Sequence, residues 1–122
     1  MTIGHVGADG DALVPLPVRG PGGAEQEVEA VLDTGFNGYL ALPPPVIEAL
    51  RLERLGQETL VLASGERRYP RKYEAAVVFL GELRPVEVIE AGEELPGTRL
   101  LRGRELRIQY VEGGRVRLEA LP

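Results

Sequence analysis

The sequence predicts a mainly β protein, a small closed or partly closed barrel with one short helix. Three observations carry this prediction. Sixteen glycines and ten prolines break a chain of 122 residues into many short elements. The apolar residues recur mostly with period two or in short continuous runs, which is the pattern of strands. Only one stretch has helical spacing. A chain of this length makes one domain, 1–122, with a core of its own.

Taken in order, Met1–Gly10 is expected to be a loose start. Ala12-Leu13-Val14-Pro15-Leu16-Pro17-Val18 alternates, and its prolines, which cannot donate to a ladder, predict an edge strand. Arg19–Gly23 is a turn. Glu27–Leu32 alternates and then becomes fully apolar at Val31-Leu32, as a strand does when it enters a buried centre. Tyr39–Leu42 is a short strand. Pro43-Pro44-Pro45 precedes Val46–Leu52, where Val46, Ile47 and Leu50 fall at helical spacing; proline suits a first helical turn, so the one helix belongs here. Glu58–Ala63 and Tyr69–Leu80 are strands flanking Ser64-Gly65-Glu66, a hairpin signature. Arg84–Ala91 is another strand, and Gly103–Leu106 is expected to be a short helical turn. Arg107–Val111 and Arg115–Leu121 close the chain as a hairpin around Gly113-Gly114.

Composition excludes several function classes. Apolar residues make up 43% and charged residues 27%, which fits a globular domain and not a disordered one. A net charge of -5 argues against nucleic acid or an anionic membrane surface as partner, since neutralising phosphates needs a basic face. The chain has no cysteine, hence no disulfide, no thiolate nucleophile and no cysteine metal cage. Met1–Gly10 lacks a basic start followed by an apolar core, and no apolar run approaches the ~20 residues of a membrane span. The expected compartment is the cytoplasm.

The informative stretch is Ala30-Val31-Leu32-Asp33-Thr34-Gly35-Phe36-Asn37-Gly38-Tyr39-Leu40. Its carboxylate follows three apolar residues and precedes a hydroxyl and a glycine. An unpaired buried carboxylate costs several kcal/mol, so an aspartate at the end of a core strand needs a partner or a purpose. Gly35 permits a sharp turn and a close approach. As a bare tripeptide, Asp-Thr-Gly is also an ordinary turn composition.

Val31-Leu32-Asp33-Thr34-Gly35 resembles the catalytic loop of the retropepsin-like aspartic proteases: two or three apolar residues, then Asp-Thr/Ser-Gly. Phe36–Pro43 is similar to the single-lobed bacterial branch of that clan. The hairpin of Ala63, Ser64, Gly65 and Glu66, on arms spanning about 58–80, lies where the family places its mobile flap. Leu100-Leu101-Arg102-Gly103-Arg104 looks like its second hallmark, two apolar residues and a glycine followed by a short helix; Arg102 occupies a position where the family has an apolar residue.

The resemblance implies an aspartic endopeptidase with Asp33, Thr34 and Gly35 in the catalytic loop, Ala63–Glu66 over the substrate, and Leu101, Gly103 and Arg104 in the second motif. It implies no cofactor and no metal. The chemistry needs two carboxylates, and the chain has one Asp-Thr-Gly. Asp9 and Asp11 lie in Gly-Ala-Asp-Gly-Asp, a solvated turn. The second carboxylate therefore has to come from another subunit, and a two-fold homodimer places Asp33 against its own copy. In the family, Thr34 would hydrogen-bond across to the other loop. Two other readings stand: a dimer of this fold that binds peptides without efficient cleavage, and a plain β-barrel with an accidental Asp-Thr-Gly.

Other residues have ordinary explanations. His5 is the only histidine, and without an acidic cluster it makes no metal site. Ser64 has no base beside it in sequence and belongs to a turn. The run Arg67-Arg68-Tyr69-Pro70-Arg71-Lys72-Tyr73 is a solvated hairpin face or a contact strip for an acidic peptide. Phe36 and Tyr39 are core or cleft wall.

Overall fold

In the computed structural model, which describes residues Met1–Pro122, each alternating stretch becomes a strand. The order is β1 (Thr2–Val6), β2 (Ala12–Arg19), β3 (Glu25–Val31), β4 (Leu40–Leu42), α1 (Pro44–Leu50), β5 (Glu53–Gln57), β6 (Leu60–Val61) and β7 (Arg67–Arg68). It continues with β8 (Arg71–Phe79), β9 (Glu82–Glu90), β10 (Leu95–Pro96), α2 (Thr98–Leu101), β11 (Arg104–Ile108) and β12 (Arg115–Ala120). Ten strands form one sheet in the order β10-β4-β9-β8-β2-β1-β12-β11, with β3 added to β2 and β5 to β8. The sheet curls into a half-barrel. β6 and β7 pair with each other apart from it. No helix is long and apolar enough to cross a membrane.

The inner face of the curl is what period two dictates. Leu16 and Val18 of β2, Val28 and Ala30 of β3, Val77 and Phe79 of β8, and Val86 and Val88 of β9 all point inward and are buried. Leu40 and Leu42 of β4 join them, and α1 covers the same core with Val46, Ile47 and Leu50. A smaller cluster of Val6, Ala12, Val14 and Val116 lies beyond β2, with Ile3, Leu32, Leu106 and Ile108 packed against it.

β2 is an internal strand, not the edge that its prolines predicted. It pairs with β3 along its length, with β1 at Ala12 and Leu13, and with β8 at Val18 and Arg19. Ala12 O faces β3, where it accepts from Leu32 N–H at 2.9 Å. Strand alternation then turns the nitrogens of Pro15 and Pro17 to the opposite side, into the gap between the β1 and β8 pairings. The prolines occupy the one stretch of β2 where that side needs no donor.

Three more expectations are corrected. The loose start is a paired strand: β1 lies between β2 and β12, and puts His5 opposite Leu13 and Arg115. Ile3 and Val6 supply the apolar contacts that hold it. The helix at Val46–Leu52 runs instead from Pro44 to Leu50, with proline in its first turn. Arg51 adopts φ 52°, and Leu52 N–H donates back to Ile47 O at 3.2 Å, so the helix ends before Leu52. Finally, Gly103–Leu106 is no helical turn, and the structure has two helices. Arg104–Ile108 pairs with β12 residue by residue, and that ladder outweighs any local helical tendency.

Leu16 is buried at the centre of the inner face and Leu83 is 54% exposed. Leu16→Ala is expected to cost about 2–5 kcal/mol in urea unfolding, against about 0.5 kcal/mol or less for Leu83→Ala.

Candidate active site

Asp33 stands where β3 runs out of partners on β2. Leu32 N–H still bonds Ala12 O, while Val31 N–H turns to Glu94 O at 3.0 Å and Asp33 N–H to Pro96 O at 3.3 Å. The chain then turns sharply. Asp33 Oδ1 accepts from Gly35 N–H at 2.8 Å, and Asp33 O accepts from Phe36 N–H at 3.2 Å. The first bond is a charge-assisted Asx turn, which fixes the carboxylate on its own loop. Asp33 is half-buried and forms no ion pair. Thr34 and Gly35 are exposed, and the Thr34 hydroxyl makes no hydrogen bond within the chain.

The second half of the loop is held from below. Gly97, Thr98 and Arg99 donate their backbone N–H groups to Tyr39 O (3.0 Å), Phe36 O (2.9 Å) and Gly38 O (3.2 Å). β10 reaches this position through antiparallel pairing with β4, whose other edge lies parallel to β9. Gly97 has to be a glycine. A Cβ there would run into Gly38 O and the Phe36 ring.

The apolar-apolar-Gly arrangement with a short helix after it therefore occurs at Leu95-Pro96-Gly97 and α2. The expected second motif at Leu101, Gly103 and Arg104 does not touch the Asp33 loop. Leu101 packs half-buried against the core, Gly103 forms the turn between α2 and β11, and Arg104 is an exposed residue of β11. The departure at Arg102 was the available signal. Six residues upstream, an apolar residue, Pro96, does precede a glycine.

Above Asp33 a cleft of about 570 Å³ opens, lined by Asp33, Gly35 and Phe36–Tyr39 on one side and Glu58–Leu62 on the other. Its floor is a row across adjacent strands: Leu95 pairs with Ala41, and Ala41 with Ile89. Tyr39 forms a wall, and the Arg99 guanidinium lies 5.6 Å from its ring centroid. Phe36 and Tyr39 are thus cleft wall, as expected.

The roof is the predicted hairpin, built as one arm from β5 through β6 and back through β7 into β8. Gln57 pairs with Arg71, Glu58 N–H bonds Pro70 O, and Leu62 N–H bonds Glu66 O. Ala63, Ser64 and Gly65 form a three-residue loop with Gly65 at φ 84°, the left-handed position that this turn requires. Ser64 Oγ accepts from Glu66 N–H at 3.3 Å, which is a turn role. The tip itself, Ala63–Glu66, does not line the cleft; Glu58–Leu62 does. Nor does the basic run: Arg67, Arg68 and Arg71 are exposed on the returning strand, with Arg68 paired to Glu66 at 3.0 Å and Lys72 to Glu87 at 3.6 Å. Asp9 and Asp11 are exposed around the turn that leads into β2, as their composition predicted.

No family model, no curated protein and no solved structure matches the chain.

Gly97→Ala is expected to destabilise the protein by about 1–3 kcal/mol in urea unfolding, because it overpacks the underside of the Asp33 loop. Gly92 has open space around it, and Gly92→Ala is expected to change stability by about 0.5 kcal/mol or less.

Proposed function

We propose that the chain is one half of a homodimeric aspartic endopeptidase of the retropepsin type, in which Asp33 of each subunit supplies one carboxylate of a shared site. The observation that carries this reading is the cleft: its floor presents Asp33 on a braced loop and its roof is a projecting hairpin arm. The Val-Leu-Asp-Thr-Gly motif supports it independently.

Two carboxylates brought within a few ångströms cannot both ionise comfortably, so they hold one proton between them. That sharing is a property of the aspartic protease class and is taken from the class. The ionised Asp33 is the general base for a water lying between the two. The protonated one donates to the scissile carbonyl as the tetrahedral oxyanion develops. Proton transfer from water to one carboxylate is balanced by donation from the other, and breakdown returns a proton to the leaving amine. No covalent intermediate forms. Gly35 N–H, bonded to Asp33 Oδ1, orients the carboxylate and leaves its other oxygen for the water.

The substrate is an extended peptide segment. The cleft lies between the Asp33 loop and the arm, and the arm offers strand backbone, so a peptide can add as a strand between roof and floor. Leu95, Ala41 and Ile89 make an apolar bed for one side chain of the bound segment.

Asp33→Asn is expected to lower peptide cleavage by a factor of about 10²–10⁴ or more while circular dichroism and thermal unfolding stay near those of the parent. Cleavage at an undiminished rate sinks the mechanism. A statine-type peptide, whose hydroxyl mimics the tetrahedral centre, is expected to block turnover.

Mixing tests the sharing of the site. When equal amounts of parent and Asp33→Asn chains are allowed to exchange, activity is expected to fall to about half of that of the same parent chains alone, because mixed dimers are dead. Activity that does not respond to the added chains means that each chain works by itself.

A further inference from the structure

The proposed site is incomplete without a second copy, and the structure carries a surface suited to receive one. Resting on the dimeric reading above, we infer that the tip of the β11–β12 hairpin, with Tyr110 and Val111 at its centre, is the seam on which the second copy docks.

The tip displays two large apolar side chains to solvent, Tyr110 at 70% and Val111 at 66% exposure. It is no frayed end. Val111 N–H donates to Gln109 O and Gly114 N–H to Val111 O, both at 2.8 Å, and Arg115 N–H donates to Gln109 Oε1 at 3.1 Å. Two further bonds fasten it to β1: Gly113 N–H to Val6 O and Val6 N–H to Gly114 O, again at 2.8 Å. A rigid, exposed aromatic–aliphatic pair is the composition of an interface centre.

Its position relative to Asp33 follows from the ladder. Gly113 bonds Val6, Val6 pairs with Ala12, and Ala12 O accepts from Leu32 N–H, one residue before Asp33. Three strand spacings, about 15 Å along the curl, separate the tip from the catalytic loop. Leu32 and Ile108 also pack on one small cluster, so both flank the same face. A two-fold axis that brings the Asp33 carboxyls together carries with it an interface of about 800 Å² per partner, roughly 30 Å across. The tip falls inside that footprint. Leu83, near the start of β9 and paired with Val78, is among the other exposed apolar residues and has no such tie to the Asp33 loop.

The charges beside the pair fit a copy of the same surface. Glu112 and Arg115 are both exposed, and neither forms an ion pair in its own chain. An isologous contact has to be self-complementary. Glu112 of one copy facing Arg115 of the other meets that condition twice.

The test is the dimer dissociation constant by sedimentation equilibrium on the full chain. Tyr110→Glu and Val111→Glu are each expected to weaken the dimer at least 100-fold with circular dichroism unchanged, while Leu83→Glu leaves it within threefold. Glu112→Arg is expected to weaken the dimer, and combining it with Arg115→Glu to restore it, a rescue that damage to the fold does not produce. A dimer indifferent to the Tyr110 and Val111 substitutions overturns this seam and leaves the dimeric reading standing. A parent chain that stays monomeric at high concentration overturns both.

Discussion

One short segment, Glu94–Arg99, holds the loop that carries Asp33 at both of its ends. Glu94 O and Pro96 O take the N–H groups of Val31 and Asp33 on the incoming side. The N–H groups of Gly97, Thr98 and Arg99 hold the carbonyls of Tyr39, Phe36 and Gly38 on the outgoing side. These bonds join residues some sixty positions apart, so they exist only after β4 has found β9 and β10 has found β4. Without them Asp33-Thr-Gly is a surface turn whose whole loop is free to shift. With them it is a fixed feature on a braced floor, and the order of the half-barrel is what makes the bracing available.

Floor and roof differ in how they are held. Ala41, Ile89 and Pro96 beneath the cleft are buried in the sheet. Every residue from Val61 to Tyr69 in the arm is exposed, and the ladder between β6 and β7 has two register pairs. Segments with little buried apolar surface open at low free-energy cost, and the roof is such a segment. Val61 and Leu62 are exposed on the cleft side.

Much of this was legible in the sequence, and the rest failed for identifiable reasons. Period two announced β2, β3, β8, β9 and β12, because each has one face on the core. The Asp33 loop announced itself through a strand of apolar residues ending in a carboxylate. Gly65 marked the arm's turn. The second brace was not legible. β10 is only Leu95 and Pro96, too short for any period, and Gly103 offered a competing glycine with apolar residues nearby. Gly103–Leu106 reads as a helical turn because a strand bordered by charges has no local signature until β12 lies beside it. The prolines of β2 predicted an edge strand, but β1 and β8 pair on their side before and after them, so position along the strand, not position in the sheet, is how the fold satisfies them.

What the single chain leaves unsatisfied points the same way as what it holds fixed. Asp33 has one oxygen engaged by Gly35 and no counter-charge, and Thr34 beside it presents a hydroxyl without a partner. In a monomer these are a stiffly mounted acid and a solvated threonine. A carboxylate gains base and acid functions together only when a second one shares its proton. A rigid mount is the condition for that sharing, since two acids that wander relative to each other ionise independently. On the proposed dimeric reading, the bracing of this loop, the open faces of Asp33 and Thr34, and the apolar tip about three strands away serve one requirement: a floor stiff enough, and bare enough, to meet its own copy.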